Sequence, residues 1–149
     1  MRGRRGSVGV ISLLCVLCIG PMVSAGVARA ADQPLVRIFD VTAAHGIVDR
    51  RPDRPTRIFA PDDNPIYVWF RAEGCTIGTT ITSVWYYVDV DPPIRIREGS
   101  VTVDVLDNWG QFNFTLAPGK QWRIGTYRVE LRVGRDLLAE TAFQVAVDE

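Results

Sequence analysis

The 149-residue sequence predicts an all-β chain: an antiparallel sandwich preceded by a short cleavable leader. Three observations carry this. Apolar and polar residues alternate with period two over most of the chain, the signature of half-buried strands. Clusters of Pro, Gly, Asp and Asn interrupt the alternation at short intervals, as in sandwiches and barrels. The N-terminus runs from positive charge through an apolar stretch to small residues, the order of an export signal.

The leader comes first. Arg2, Arg4 and Arg5 precede the apolar run Val8–Ile19, Gly20-Pro21 breaks it, and Ala28-Arg29-Ala30 offers small residues for cleavage before Ala31. Residues 1–30 are therefore expected to be a signal peptide, and 31–149 a single mature domain, periplasmic or secreted, with no membrane span. An uncleaved anchor over Val8–Ala28 is the alternative, and Gly20-Pro21 argues against it. Cleavage would remove four basic and no acidic residues, leaving 13 against 17, a net charge of −4. That balance provides no basic face for nucleic acid. Only Cys75 of the three cysteines lies beyond the leader, which excludes an internal disulfide there. A lone thiol is most often buried.

Strands are expected near 35–41, 56–60, 66–72, 80–90, 94–97, 101–106, 111–116, 125–133 and 138–147. The clearest is 125–133, where Tyr127, Val129, Leu131 and Val133 alternate with Arg128, Glu130 and Arg132. Val101, Val103 and Val105 alternate likewise, as do Phe112, Phe114 and Leu116. Ala43–Pro55 is polar, contains Pro52 and Pro55, and reads as a loop. Pro61–Pro65, Asp91-Pro92-Pro93, Glu98-Gly99, Asp107–Gly110 and Ala117-Pro118-Gly119 read as turns. Gly134-Arg135-Asp136 suits a tight hairpin.

Trp122-x-x-Gly125-x-Tyr127-x-Val129, followed by a hairpin and Phe143-x-Val145, resembles the closing hairpin of uncharacterised exported bacterial immunoglobulin-like domains. Ser83-Val84-Trp85-Tyr86-Tyr87 upstream is similar to their W-Y-Y strand, and the likeness covers roughly Ile66–Val147. The resemblance implies an immunoglobulin-like antiparallel β-sandwich and gives Tyr127 the structural role of a tyrosine corner. It implies no particular activity, since sandwiches host unrelated ones.

Catalytic and metal chemistry find little material. His45 is the only histidine and is expected to be solvated in the loop. There is no G-x-S-x-G, and no catalytic residue or cofactor is expected. Transition metals usually draw on several His or Cys ligands, and one of each follows the leader. Asp62-Asp63-Asn64 and Asp89-x-Asp91 read as turn formers rather than calcium ligands, the latter lacking the Gly and final Glu of a calcium loop.

The aromatics offer a candidate site. On 66–72, Ile66, Val68, Phe70 and Ala72 share one face and Tyr67, Trp69 and Arg71 the other. On 80–90, Val84, Tyr86, Val88 and Val90 oppose Trp85 and Tyr87. With the aliphatic faces inside, Tyr67, Trp69, Arg71, Trp85 and Tyr87 would form one exposed binding band. The alternative is that Trp85 is the tryptophan such sandwiches bury on a central strand. Trp109 and Trp122 are expected to cap the ends. The expected function is non-enzymatic binding of a cell-envelope protein through a sheet face or strand edge. A glycan stacked on the aromatics comes second, and a hydrolase with an unrecognised carboxylate pair third. The oligomeric state stays open.

Overall fold

Nine strands and no helix form residues 35–147, the part of the chain that the computed structural model describes. They are β1 (Arg37–Val48), β2 (Arg51–Pro55), β3 (Ile58–Phe59), β4 (Ile66–Glu73), β5 (Thr80–Tyr87), β6 (Ile94–Thr102), β7 (Trp109–Phe114), β8 (Gly125–Val133) and β9 (Asp136–Val145). One sheet has the order β2-β1-β4-β7 and the other β3-β9-β8-β5-β6. Every pairing is antiparallel except β3 with β9. The expected sandwich is the observed one. The leader reading of residues 1–30 lies outside the described residues. Among those, no helix is long and apolar enough to cross a membrane.

The core follows the alternation. Ile66, Val68 and Phe70 of β4 face Val129 and Leu131 of β8 and Val145 of β9 across the sandwich, all fully buried. Burying one such side chain contributes on the order of 2 kcal/mol. At one end the filling is aromatic. Trp85, Phe114, Trp122, Tyr127 and Phe143 meet mostly edge to face, with centroids 4.9–6.2 Å apart, a favoured quadrupole geometry.

Buried polar tips need partners, and those of Trp85, Tyr87, Trp122 and Tyr127 have them. Trp122 Nε1 donates to the Asp63 carbonyl at 2.8 Å, and Trp85 Nε1 to Ser83 Oγ at 3.3 Å. Tyr87 donates its hydroxyl to the Ile124 carbonyl at 3.1 Å. Tyr127 donates to the Arg123 carbonyl at 2.7 Å, four residues upstream, the tyrosine corner that the resemblance implies. Burial first, and then neighbouring Tyr87, push the Tyr127 phenol up to about 12. On the outward side of β8, buried Glu130 is clamped between Arg128 and Arg132.

Several expectations need correction. Ala43–Pro55 is not a loop: Ala43–Val48 completes β1, and Asp49-Arg50 turns it into β2. Pro52 and Pro55 are tolerated because β2 is an edge strand, where a missing N–H can face outward. Glu98-Gly99 is not a turn; Ser83 pairs with Gly99, and β6 continues through this point along β5. Residues 103–108 leave the sheet, with Val105 and Leu106 exposed. The strand expected at 56–60 shrinks to Ile58–Phe59. Trp122 belongs to the core, although it does close one end.

Candidate functional site

The five residues expected to form one band separate onto two sheets. Tyr67, Trp69 and Arg71 do face outward from β4, each half-buried. Trp85 and Tyr87 face inward from β5, 1% and 7% exposed, so the continuous band does not exist. The reason lies in pairing: Trp85 sits opposite Val129 and Tyr87 opposite Tyr127, residues of the inward face of β8. Directly paired residues share a face. Ser83, which accepts from the Trp85 indole, is buried in the sandwich too.

What remains on the outer face is a cleft of about 780 Å³ lined by Trp69, Arg71 and Trp109 with residues of the β1 bulge and the β1–β2 turn. Tyr67 shares this face without lining the cleft. Arg71 and Trp109 are cross-strand partners on β4 and β7. Trp69 Nε1 donates to the Arg50 carbonyl at 2.9 Å and so fixes the hairpin tip above the sheet. Arg71 is held by the β1 bulge, 3.8 Å from Asp40 and 5.1 Å from the Phe39 ring centre. Arg50 bridges to Asp107 at 3.5 Å, joining the turn to the loop before Trp109.

Two features mark this cleft as more than a surface fold. Asp40, Asp49 and Arg50, all lining it, have φ of 54°, 49° and 64°. At Asp49 and Arg50 positive φ is what the two-residue hairpin turn between Val48 and Arg51 requires; at Asp40, in the β1 bulge, it is uncommon outside glycine, and such strain collects at functional sites. The Trp109 indole N–H is also buried without a partner among the described residues, although buried donors are nearly always satisfied.

Sequence reasoning missed Trp109, Arg50, Arg51, Asp40 and Asp49 as site residues. The hairpin was hidden by its two prolines, and Trp109 by the turn signals around it. Ala43-Ala44 and Ile47-Val48 were the available clue, apolar pairs within a stretch that otherwise looks polar.

The chemistry-bearing residues elsewhere stay apart. His45 is not solvated in a loop; it sits half-buried on β1, Nδ1 3.5 Å from Asp63 and its ring 5.0 Å from Phe59. Cys75 is half-buried, and desolvation raises its thiol pKa. Among the described residues no three His, Cys, Asp or Glu side chains group to hold a metal. Asp63 acts as a turn former, accepting from the Ala60 N–H at 2.7 Å, whereas Asp89 reaches across to β8 and accepts from the Thr126 N–H at 3.0 Å. In the cleft, Asp40 and Asp49 are both exposed.

No family model and no curated protein matches the sequence. Solved structures do. An immunoglobulin-like protein from Pseudomonas aeruginosa is similar over 77% of this chain and 99% of its own, at 18% identity and a TM-score of 0.56. An alkylpurine DNA glycosylase from Pseudomonas fluorescens, bound to DNA containing an abasic-site analog, overlaps 75% of this chain and 30% of its own. At 11% identity and a TM-score of 0.44, that likeness is too loose to bear on fold or function. The sandwich of residues 35–147 has an immunoglobulin-like fold.

Proposed function

We propose that this chain is a non-enzymatic binding module, working in the periplasm or secreted, that holds a cell-envelope protein in the cleft around Trp69. The carrying observation is the meeting of Trp69, Arg71 and Trp109 in one cleft beside the β1 bulge and the β1–β2 turn, with the Trp109 indole N–H buried and unpaired among the described residues. Trp and Arg dominate the energetics of protein interfaces because they bury large area while offering directed hydrogen bonds. The rim carries both signs of charge, Arg50 and Arg51 with Asp40 and Asp49, which suits the mixed charge of a protein surface. The location outside the cytoplasm rests on the export signature of residues 1–30 and on the resemblance to exported bacterial domains. Tyr67 extends the surface along the same face.

A glycan is the second reading, favoured by two indoles in one cleft of small-ligand volume. One experiment separates the two. The purified protein and its Trp69→Ala, Arg71→Ala variant, shown folded by circular dichroism, are immobilised and exposed to envelope extract. A protein retained by the wild type and lost by the folded variant, with no quenching of tryptophan emission by soluble glycans, is the expected result. Glycan quenching abolished by the variant would replace the proposal with the second reading. Equal retention by both forms would remove the cleft from either.

A further inference from the structure

A second surface, on the other sheet, goes beyond the cleft. β6 ends its sheet and β7 ends the other. Every residue of the nine-residue β6 except Gly99 is exposed, including Ile94, Ile96 and Val101. Edges this long are normally shortened, covered or broken, because their free N–H and C=O groups invite another strand. Only one bulge, where Ile96 falls between two paired residues, interrupts β6.

The gap between the two edge strands is also unfilled. A cavity of about 230 Å³ opens beside Ile94, Ile96 and Phe114. Another of about 340 Å³ opens beside Val101 and Gly110. Arg97, paired with inward-facing Trp85, lies between them with its guanidinium 5.0 Å from the Phe114 ring centre. Arg123 lies over Tyr87 at 4.7 Å on the rim of the first cavity. Neither arginine has a carboxylate within ion-pairing distance among the described residues.

We infer that this flank takes an extended segment of another protein, added along β6 as a further strand, with an acidic side chain between two apolar ones on its inward face. Strand addition satisfies the free backbone edge, and alternate side chains enter the pockets beside it. The two cavities accept the apolar residues, and Arg97 between them accepts the carboxylate. Burying that charge against a guanidinium is favourable only with a close partner, which is what selects an acidic segment.

A second copy of this chain fits worse. Strands that extend one sheet pair inward residues with inward residues. The only carboxylate of β6 is Glu98, opposite Val84 on the outward face, so no self-pairing sets a carboxylate against Arg97. The register that pairs the full length of two β6 strands antiparallel sets Glu98 against Glu98, and like charges opposite each other destabilise.

The test uses two labelled, end-capped peptides, TLTETLT and TLTKTLT, titrated into the purified protein and followed by fluorescence anisotropy. The first carries Leu, Glu and Leu on one face; the second replaces Glu with Lys. The acidic peptide should bind at least about tenfold more tightly, the swing expected between attractive and repulsive cross-strand charge. Arg97→Glu should invert the order, and Trp69→Ala should leave it unchanged, which separates this surface from the cleft. Equal affinities, or no binding of either peptide to the wild type, would overturn the inference. So would a dimer of the purified protein that Arg97→Glu dissociates, since a second copy would then occupy the flank. The wild-type comparison stands even if the variant fails to fold.

Discussion

β4 and β5 carry the same kind of sequence and use it in opposite senses. Each is eight residues long, and each places a tryptophan two positions from a tyrosine on one face. On β4 the Tyr67–Trp69 face is turned outward, over the cleft; on β5 the Trp85–Tyr87 face is the core. Alternation divides a strand into two faces without saying which one is inside. On β4 the choice is plain, because Ile66, Val68, Phe70 and Ala72 oppose only one aliphatic-free face. On β5 both faces are apolar enough to bury, and the decision comes from the neighbours: β8 presents Tyr127 and Val129 on the Trp85–Tyr87 side. Val84, on the other face, is covered as well, so the aliphatic residue was no guide.

Replacing the two tryptophans tests this contrast most strongly. Trp85→Ala should cost about 3–5 kcal/mol, because it opens a cavity in a packed aromatic cluster. Trp69→Ala should cost only about 1 kcal/mol, the worth of its hydrogen bond to the Arg50 carbonyl. Chemical denaturation of both variants measures the difference. Similar losses would mean that the outer face of β4 is covered as firmly as the core, and the cleft would cease to be a surface.

This contrast also explains how much the sequence revealed. The period-two segments were legible because the two faces differ in kind, aliphatic against aromatic and Arg on β4, apolar against charged or polar on β8 and the end of β9. The role of Tyr127, a bond to a carbonyl four residues away, was legible only through the resemblance of the closing hairpin. β2 was not, since a strand containing Pro52 and Pro55 exists only by virtue of lying at an edge, a fact of tertiary position. The continuity of β6 through Gly99 depends likewise on eight residues of β5 beside it. In the site, Trp69 and Arg71 were legible from alternation. Trp109 and the β1–β2 turn were not, since three separate segments meet only after folding.

Two glycines probe the next level, the contrast between a backbone position capped by a core ring and one that faces open space. Gly110 pairs with Phe70, whose rigid ring tip occupies the space a Cβ would need. Gly110→Ala should therefore destabilise by about 1–3 kcal/mol, the cost of overpacking. Gly99 lies on the open flank, where a Cβ would meet nothing nearer than Ser83 Oγ at 3.8 Å. Gly99→Ala should change stability by no more than about 0.5 kcal/mol. The separation of the two urea midpoints reads the difference directly. If the two variants shift alike, the flank beside β6 is filled and cannot admit a strand.

At neutral pH Tyr127→Phe has only a modest effect, since it removes the hydroxyl and its bond to the Arg123 carbonyl, about 1 kcal/mol. Its value lies in the pH profile. The phenol is raised from an ordinary 10 to about 12 because burial disfavours the phenolate. Above pH 10 the unfolded chain loses this proton while the folded chain keeps it, so the folded state binds more protons and stability falls as pH rises. The fall should extend through about pH 12 and amount to roughly 1–3 kcal/mol. Tyr127→Phe should flatten this alkaline limb while leaving the neutral region only slightly lowered. Trp69→Ala, on the outer face, should leave the limb intact. Denaturation midpoints from pH 8 to 12 decide the matter. An unchanged limb in Tyr127→Phe would mean that the corner tyrosine ionises as freely folded as unfolded, and that the aromatic end of the core is open to water.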